Sequence, residues 1–119
     1  MTTPAKPVGP YTPIVRAGDW LVVSGQVGIA DGHLVAGGVA GELRQAIANL
    51  EAHLATEGAA LTDVVKTTVF LRHMSDYTPM NTTYVAAFGD HRPARSAIGV
   101  AELPMGALVE VEAWAWVGG

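Results

Sequence analysis

The strictest constraint on the fold lies near the end of the chain, where ten residues alternate between two kinds of side chain. One set is small and apolar: Val109, Val111, Ala113, Ala115 and Val117. The other set mixes carboxylates with large apolar groups: Leu108, Glu110, Glu112, Trp114 and Trp116. Because successive side chains of a strand point to opposite faces of a sheet, this pattern predicts a strand over 108–117 whose small face packs against helices.

An earlier segment, Trp20 to Val27, alternates in the same way. Its predicted buried face contains Leu21, Val23, Gly25 and Val27, and its opposite face contains Trp20, Val22, Ser24 and Gln26. Together with Ile14 to Arg16 across the turn at Ala17-Gly18-Asp19, it is typical of a β-hairpin. A second turn at Asp31-Gly32 precedes a short extended piece, His33 to Ala36.

Two segments carry helical periodicity instead. Leu43, Ile47, Leu50 and Leu54 recur at i, i+4, i+7 and i+11, which predicts a helix from Glu42 to about Glu57 with Gly58 as its C-terminal stop. Met80, Tyr84 and Phe88 predict a second helix that ends near Gly89. Ser75 or Asp76 is placed to cap that helix, and Pro79 fits its first turn.

The order of these elements indicates the fold class. Val64 to Leu71 and Ala94 to Val100 supply two further strands, so the order is ββ(β)αβαββ. This order predicts an α+β fold with two helices on one face of a single mixed sheet. No repeat or linker divides the chain, and we expect one domain over residues 1–119.

Two helices cover only one face of a sheet, and the three tryptophans lie on the other. Half of the 119 residues are hydrophobic and only 15% are charged, so little polar surface is available to offset an exposed indole patch. We therefore predict an oligomer that buries this face. The alternative is that Trp114 and Trp116 form a half-exposed rim beside solvated glutamates.

Composition excludes several classes of function. Seven Lys and Arg against eleven Asp and Glu give a net charge of −4 with no basic run, which argues against nucleic acid and anionic membranes as partners. The absence of cysteine removes disulfide scaffolds and thiolate chemistry. Met1 to Pro13 is rich in proline and is neither a signal peptide nor a membrane anchor, so we expect a cytoplasmic protein.

Two ionisable residues stand out because they lie in otherwise apolar strands: Arg95 and Glu110. A guanidinium near the start of a core strand requires an anion or water, and its planar fork matches a carboxylate in two parallel hydrogen bonds. From the sequence alone, Arg95 either pairs with Glu110 or Glu112 of its own chain or binds the carboxylate of a ligand. Both interpretations stay open.

The sequence lacks the motifs of metal sites, nucleophilic serines and phosphate-binding loops. The four histidines (His33, His53, His73 and His91) show no metal-binding spacing, and we expect them on the surface or at caps. Ser24-Gly25-Gln26 lacks the elbow of a nucleophilic serine, and Gly25 is better explained by a close backbone approach. No phosphate-binding glycine loop follows a strand. We therefore predict no metal and no cofactor.

Six short motifs, taken in order and with their spacing, resemble the RidA (YjgF-type) family over nearly the whole chain. They are Gly9-Pro10-Tyr11, Val23-Ser24-Gly25-Gln26, Val65-Lys66-Thr67-Thr68-Val69-Phe70, Asn81-Thr82-Thr83-Tyr84, Pro93-Ala94-Arg95-Ser96 and Val109-Glu110-Val111-Glu112-Ala113. The resemblance implies a chorismate-mutase-like subunit that forms a homotrimer with sites in the clefts between subunits. It also implies hydrolysis of reactive 2-imino acids (2-iminopropanoate or its enamine 2-aminoacrylate, and 2-iminobutanoate) to 2-oxo acids and ammonia.

The resemblance also assigns roles to residues. Arg95 clamps the substrate carboxylate, Glu110 orients the attacking water, and backbone groups around Ala97 add contacts. Four further residues shape the pocket: Tyr11, Ser24, Gly25 and Asn81. The chain departs from the family pattern just before Pro93, where the segment is shorter and Arg92 replaces a frequent aromatic residue; Arg92 either binds a second substrate carboxylate or faces solvent.

Two rival functions accompany this hypothesis. The same cleft suits a non-catalytic trimeric module that binds small 2-oxo carboxylates or a partner protein. A ribonuclease activity, sometimes attributed to the family, fits poorly with a net charge of −4.

Overall fold

A five-stranded sheet forms the frame of the computed structural model, which describes residue 4 and residues 6–119. Its strands are Ile14–Ala17 (β1), Trp20–Val27 (β2), Val64–Leu71 (β5), Ala94–Gly99 (β6) and Val109–Trp116 (β7). They lie in the order β1-β2-β7-β5-β6. All neighbours are antiparallel except β5 and β6, which are parallel, so the predicted mixed sheet is confirmed. Ile29–Ala30 (β3) and His33–Leu34 (β4) form a separate hairpin.

Two helices, Gly38–Ala55 (α1) and Tyr77–Phe88 (α2), pack on one face of the sheet and complete the predicted α+β fold. The main core lies between these layers and includes Leu43 and Leu50 of α1 and Met80 of α2. The small face of β7 is fully buried beneath them, as its alternation predicts. Its buried residues are Val109, Val111, Ala113 and Ala115.

The start of α1 differs from the prediction, because the helix begins at Gly38 and not at Glu42. Gly37 and Gly38 have φ angles of 108° and 64°, which glycine adopts without a Cβ clash. The two glycines therefore turn the chain directly into the helix. The predicted stop is confirmed: α1 ends at Ala55, and Gly58 follows with φ 73°.

The second helix matches its prediction closely. It ends at Phe88, with Gly89 directly after it at φ 63°. Asp76 occupies the N-cap position, but its side chain makes no capping hydrogen bond. Met80, Tyr84 and Phe88 are buried, as the four-residue spacing predicts.

The predicted faces of β2 are correct only for its first half. Val23 pairs with Ala113, but the next pair is Gln26 with Val111, so an extra residue bulges out of the strand at Ser24-Gly25. A bulge reverses the alternation beyond it. Gln26 is therefore buried, and the prediction that Gly25 and Val27 share the helix-covered face is wrong.

One histidine was also misplaced by sequence reasoning. His53 lies on α1 and is buried, not at the surface, and burial lowers the pKa of its imidazole. No helix within residues 4 and 6–119 has the length and apolarity to cross a membrane. The part of the expectation about Met1 to Pro13 that concerns residues 1–3 and 5 lies outside the described residues.

Candidate active site

The structure brings four of the seven predicted site residues together in one open cleft of about 310 Å³. These are Tyr11, Ser24, Gly25 and Glu110. Val8, Pro104 and Glu112 complete the lining. The cleft thus combines an apolar rim with two carboxylates, and it lies where the bulge of β2 meets β7.

Ser24 builds the cleft by holding the N-terminal segment against β2. Its hydroxyl donates to the carbonyl of Thr12 at 2.7 Å, and its amide donates to the carbonyl of Pro13 at 2.9 Å. These bonds bring the preceding residue, Tyr11, to the edge of the cleft. Because its hydroxyl is already hydrogen-bonded to the backbone, Ser24 has a structural role and is not placed to act as a nucleophile.

Gly25 and Glu110 approach each other closely across the cleft. A Cβ added at Gly25 would lie only 2.7 Å from Cδ of Glu110. Only glycine leaves room for this carboxylate, which confirms the expectation of a close approach at Gly25 but identifies a side chain, not a backbone, as its partner.

The environment of Glu110 shifts its proton affinity. Burial raises the pKa of this carboxyl above its ordinary value of 4.5, and the negative charge of nearby Glu112 raises it further. A carboxylate with a raised pKa takes up and releases protons at a pH nearer neutrality. Glu110 is therefore suited to general acid–base chemistry.

Arg95 lies at a different place, between β6 and α2. Its Nη2 donates to the hydroxyl of Tyr77 at 3.3 Å, and its Nη1 lies 3.7 Å from Sδ of Met80. Its Cζ stands 4.9 Å from the centre of the Tyr84 ring. Within residues 4 and 6–119, no carboxylate lies at ion-pair distance from Arg95.

The two remaining predicted residues lie on α2 and β6, the two elements between which Arg95 lies. Asn81 lies on α2 between Tyr77 and Tyr84, and its Oδ1 is buried without a hydrogen-bond partner among the described residues. Ala97 follows Arg95 by two residues on β6 and shares its face of the sheet. Because β6 is an edge strand, some of its backbone groups are free for a ligand.

The sheet register separates the two candidate catalytic residues. Arg95 aligns with Thr67, which is fully buried under the helices. Glu110 aligns with Phe70 and Val27, whose side chains lie on the face that no helix covers. Arg95 and Glu110 therefore point to opposite faces, and the alternative of an Arg95–Glu110 or Arg95–Glu112 pair within one chain is wrong.

The sequence patterns do not reveal two residues of α1 that hold the end of β2 and the start of β7 in place. Glu42 of α1 is buried, and its Oε1 accepts the amide of Leu108 at 2.8 Å, just before β7. Asn49 of α1 donates to the carbonyls of Val27 and Ile29 at 3.1 and 3.0 Å. The only available signal was a polar side chain on the buried side of an amphipathic helix, and this signal does not name the distant partner.

Arg92 folds back onto its own loop. Its Nη1 donates to the carbonyls of Gly89 and His91, and the side chain is exposed. These bonds assign Arg92 a role in closing the loop between α2 and β6.

The uncovered face of the sheet carries an apolar cluster of three tryptophans. Trp20 contacts Trp114 and Trp116 edge to face, with ring centres 5.9 and 5.0 Å apart. Trp114 and Trp116 remain 44% and 42% exposed. The predicted indole patch is therefore present on this chain.

Comparison with known proteins extends over almost the whole chain. Residues 1–117 match the family described as Endoribonuclease L-PSP. A human protein named 2-iminobutanoate/2-iminopropanoate deaminase is 42% identical over 108 residues, which are 89% of this chain and 79% of the human one.

Solved structures agree with the fold. The structure of the YjgF gene product from E. coli superposes with a TM-score of 0.88 at 38% identity and covers 96% of this chain and 92% of its own. The structure of E. coli TdcF with bound serine gives a TM-score of 0.90 at 30% identity, with 98% and 94% covered.

Proposed function

The chain belongs to the Endoribonuclease L-PSP family, and from this membership we propose that it hydrolyses reactive 2-imino acids to 2-oxo acids and ammonia. The observation that carries the proposal is the state of Arg95. Its guanidinium is half-buried, and no carboxylate within residues 4 and 6–119 neutralises it. A positive charge held in this way is available to the carboxylate of a ligand.

The second catalytic group is Glu110, and it must come from another subunit. Arg95 and Glu110 point to opposite faces of one sheet, so a single chain cannot bring both to one substrate. A homotrimer in which the tryptophan-rich face of one chain meets a neighbour would remove this obstacle and bury the exposed indoles. We infer this assembly from the opposite orientation of Arg95 and Glu110 and from the exposed tryptophans.

The reaction needs little besides positioning. Arg95 binds the substrate carboxylate and thereby fixes the adjacent imine carbon. Glu110 accepts a proton from water as the oxygen adds to that carbon and passes it to the nitrogen, which gives a carbinolamine. It then takes the proton of the new hydroxyl and delivers it to the nitrogen as the carbonyl forms. One water is consumed, the carbon–nitrogen bond is broken, and a 2-oxo acid and ammonia are released. A positioned carboxylate of this kind contributes roughly 10²–10⁴-fold, which is sufficient for imines that already hydrolyse in water.

The rest of the cleft supports this role. Tyr11, Ser24 and Gly25 shape the wall beside Glu110, and Asn81 with the backbone at Ala97 extends the surface around Arg95. The apolar rim at Val8 and Pro104 suits a small uncharged substrate side chain.

A competition assay tests the proposal. A dehydratase generates the imine from serine or threonine, and semicarbazide traps whatever imine remains. We expect the protein to lower the trapped fraction and Arg95→Ala to abolish this effect. Unchanged trapping, or an Arg95→Ala variant as active as the parent, would refute the proposal.

A second function is favoured by one observation, the serine bound in the related E. coli TdcF structure. On this alternative, the cleft binds small carboxylates without turning them over. Equilibrium binding of a 2-oxo acid together with unchanged semicarbazide trapping would favour the binding module over the deaminase.

A further inference from the structure

The contacts that Arg95 makes within residues 4 and 6–119 are unusual for a half-buried arginine, because they are all neutral. They consist of a tyrosine hydroxyl, a thioether sulfur and two aromatic rings. Neutral acceptors and ring faces attract a guanidinium without cancelling its charge. Such a setting holds the side chain in place and leaves its charge for another anion.

The ring of Tyr84 forms the fixed wall of this setting. It lies 4.9 Å from Cζ of Arg95, and its hydroxyl shares a 2.7 Å hydrogen bond with the hydroxyl of Thr67. Both residues are buried, and the ring also stacks on Phe88 with 4.6 Å between ring centres. Tyr84 therefore cannot move away from the guanidinium without breaking a buried contact.

Tyr77 forms the second wall, about two turns earlier on α2. Its hydroxyl accepts from Nη2 at 3.3 Å, and its ring centre lies 5.7 Å from Cζ of Arg95. The Tyr77 side chain is 41% exposed, so it stands at the solvent side of the guanidinium.

The hydrogen bonds of Arg95 leave enough donors for a ligand. A guanidinium carries five N–H groups. One on Nη2 meets Tyr77 and one on Nη1 faces Met80, so three have no partner among the described residues, including Nε–H. Two of the three suffice for the paired bonds to a carboxylate.

We propose that Tyr77 and Tyr84 are positioning residues for the substrate-binding arginine, with Thr67 fixing Tyr84. This inference rests on the proposed role of Arg95 as a carboxylate clamp. The two tyrosines orient the guanidinium before substrate arrives, so that its free N–H groups face the incoming carboxylate. Their loss should weaken substrate binding and leave the chemical step at Glu110 nearly unchanged.

Substitutions separate the contributions of ring and hydroxyl. Tyr77→Phe removes one hydrogen bond at an exposed position, and we expect KM to rise about fivefold with kcat within about twofold of the parent. Tyr84→Leu removes the ring, and we expect KM to rise about tenfold. Tyr84→Phe keeps the ring over Arg95 but loses the hydrogen bond to Thr67, so we expect KM to rise by about twofold, less than in Tyr84→Leu, together with a lower melting temperature. Val85→Ala, at an exposed position on the same helix, is the control.

Two further readouts exclude a merely structural effect. Calorimetric binding of 2-oxobutanoate, which needs no turnover, should weaken by the same factors as KM rises. In ¹⁵N NMR spectra of the ligand-free protein, the two Nη signals of Arg95 should be distinct in the parent and should merge in Tyr77→Phe as the guanidinium rotates more freely.

The outcomes distinguish this inference from the proposed function. If the parent binds and hydrolyses its substrate while folded Tyr77→Phe and Tyr84→Leu match it in affinity, the positioning role is wrong and the function stands. If the parent neither binds a 2-oxo acid nor lowers imine trapping, the proposed function fails and the inference fails with it. If Tyr84→Leu does not fold, Tyr77→Phe alone decides.

Discussion

At the scale of single residues, the candidate site contains two charges that have no ion-pair partner in the described part of the chain. Arg95 is surrounded by neutral groups, and Glu110 is half-buried beside a second carboxylate. Each arrangement stabilises the folded chain less than an ion pair or an apolar side chain would. Such local costs are typical of sites that must bind or react.

Replacing Glu110 by glutamine tests how much unfolding free energy the half-buried carboxylate costs the folded chain. Because burial and Glu112 raise the pKa of Glu110, its contribution to stability is fully present below pH 4.5 and is lost as the pH rises through the raised pKa. We expect Glu110→Gln to gain unfolding free energy relative to the parent at pH 7 but not at pH 4, and to lose about 10²-fold or more in activity. Urea denaturation at the two pH values measures the first effect.

The matched variant is Glu112→Gln, which removes the neighbouring charge and leaves Glu110 in place. The acid limb of its pH–rate profile should shift to lower pH, because the pKa of Glu110 moves back toward 4.5. An acid limb that is identical in Glu112→Gln and the parent would speak against Glu110 as the titrating group.

At the scale of elements, the bulge in β2 makes room for the carboxylate of Glu110. It places Gly25 against Glu110 and sends the next residue, Gln26, to the buried face. Glu42 and Asn49 hold the flanking segments from α1. The helix layer and the cleft on the other side of the sheet are thus joined by specific hydrogen bonds.

A pair of glycine variants tests the role of the bulge. In Gly25→Ala the new methyl group displaces the flexible Glu110 side chain, so we expect at least a 100-fold loss of kcat/KM with a nearly unchanged melting temperature. Gly58→Ala, with φ 73° and open space around it, should instead cost about 1–2 kcal/mol of stability with activity intact. An active Gly25→Ala enzyme would contradict the steric argument.

The same elements show what local sequence patterns can and cannot predict. The uninterrupted alternation of β7 and the four-residue spacing in α2 correctly predict which residues are buried. The bulge at Ser24-Gly25 escapes detection because alternation assumes an even register with the partner strand. The bond from Glu42 to the Leu108 amide joins residues 66 positions apart, and no local pattern reports such a distance.

The candidate site was predicted to a similar degree. Tyr11, Ser24, Gly25 and Glu110 do share one cleft, whereas Asn81 lies on α2 and Ala97 lies on β6, the strand of Arg95. The sequence alone does not show that these two groups face opposite sides of the sheet, because this depends on the register between neighbouring strands. The tyrosines around Arg95 could not be identified because helical spacing predicts Tyr84 only as a core residue.

At the scale of the whole molecule, the uncovered face of the sheet carries the central expectation. Three indoles meet there, and Trp114 and Trp116 are each more than two-fifths exposed in the single chain. Burial against a second and third copy in the proposed trimer would account for their presence on a surface that no helix covers.

Disrupting this face should dissociate the assembly and abolish activity together. Light scattering should give about 37 kDa for the parent, three chains of 12.4 kDa, and a lower mass for Trp114→Ser. Val85→Ser, which replaces an exposed apolar residue on α2, should keep the parental mass. A parent protein that scatters as a 12.4 kDa monomer at assay concentration would rule out the composite site.

The most direct measurement is complementation between two inactive variants, Arg95→Ala and Glu110→Gln. If each site takes Arg95 from one chain and Glu110 from its neighbour, every mixed trimer contains one intact site. Equal co-expression with separate affinity tags should then restore about a quarter of the parental imine hydrolysis, since about three-quarters of random trimers are mixed and one site in three is intact. Mixed trimers no more active than either variant alone would contradict a site built from two chains.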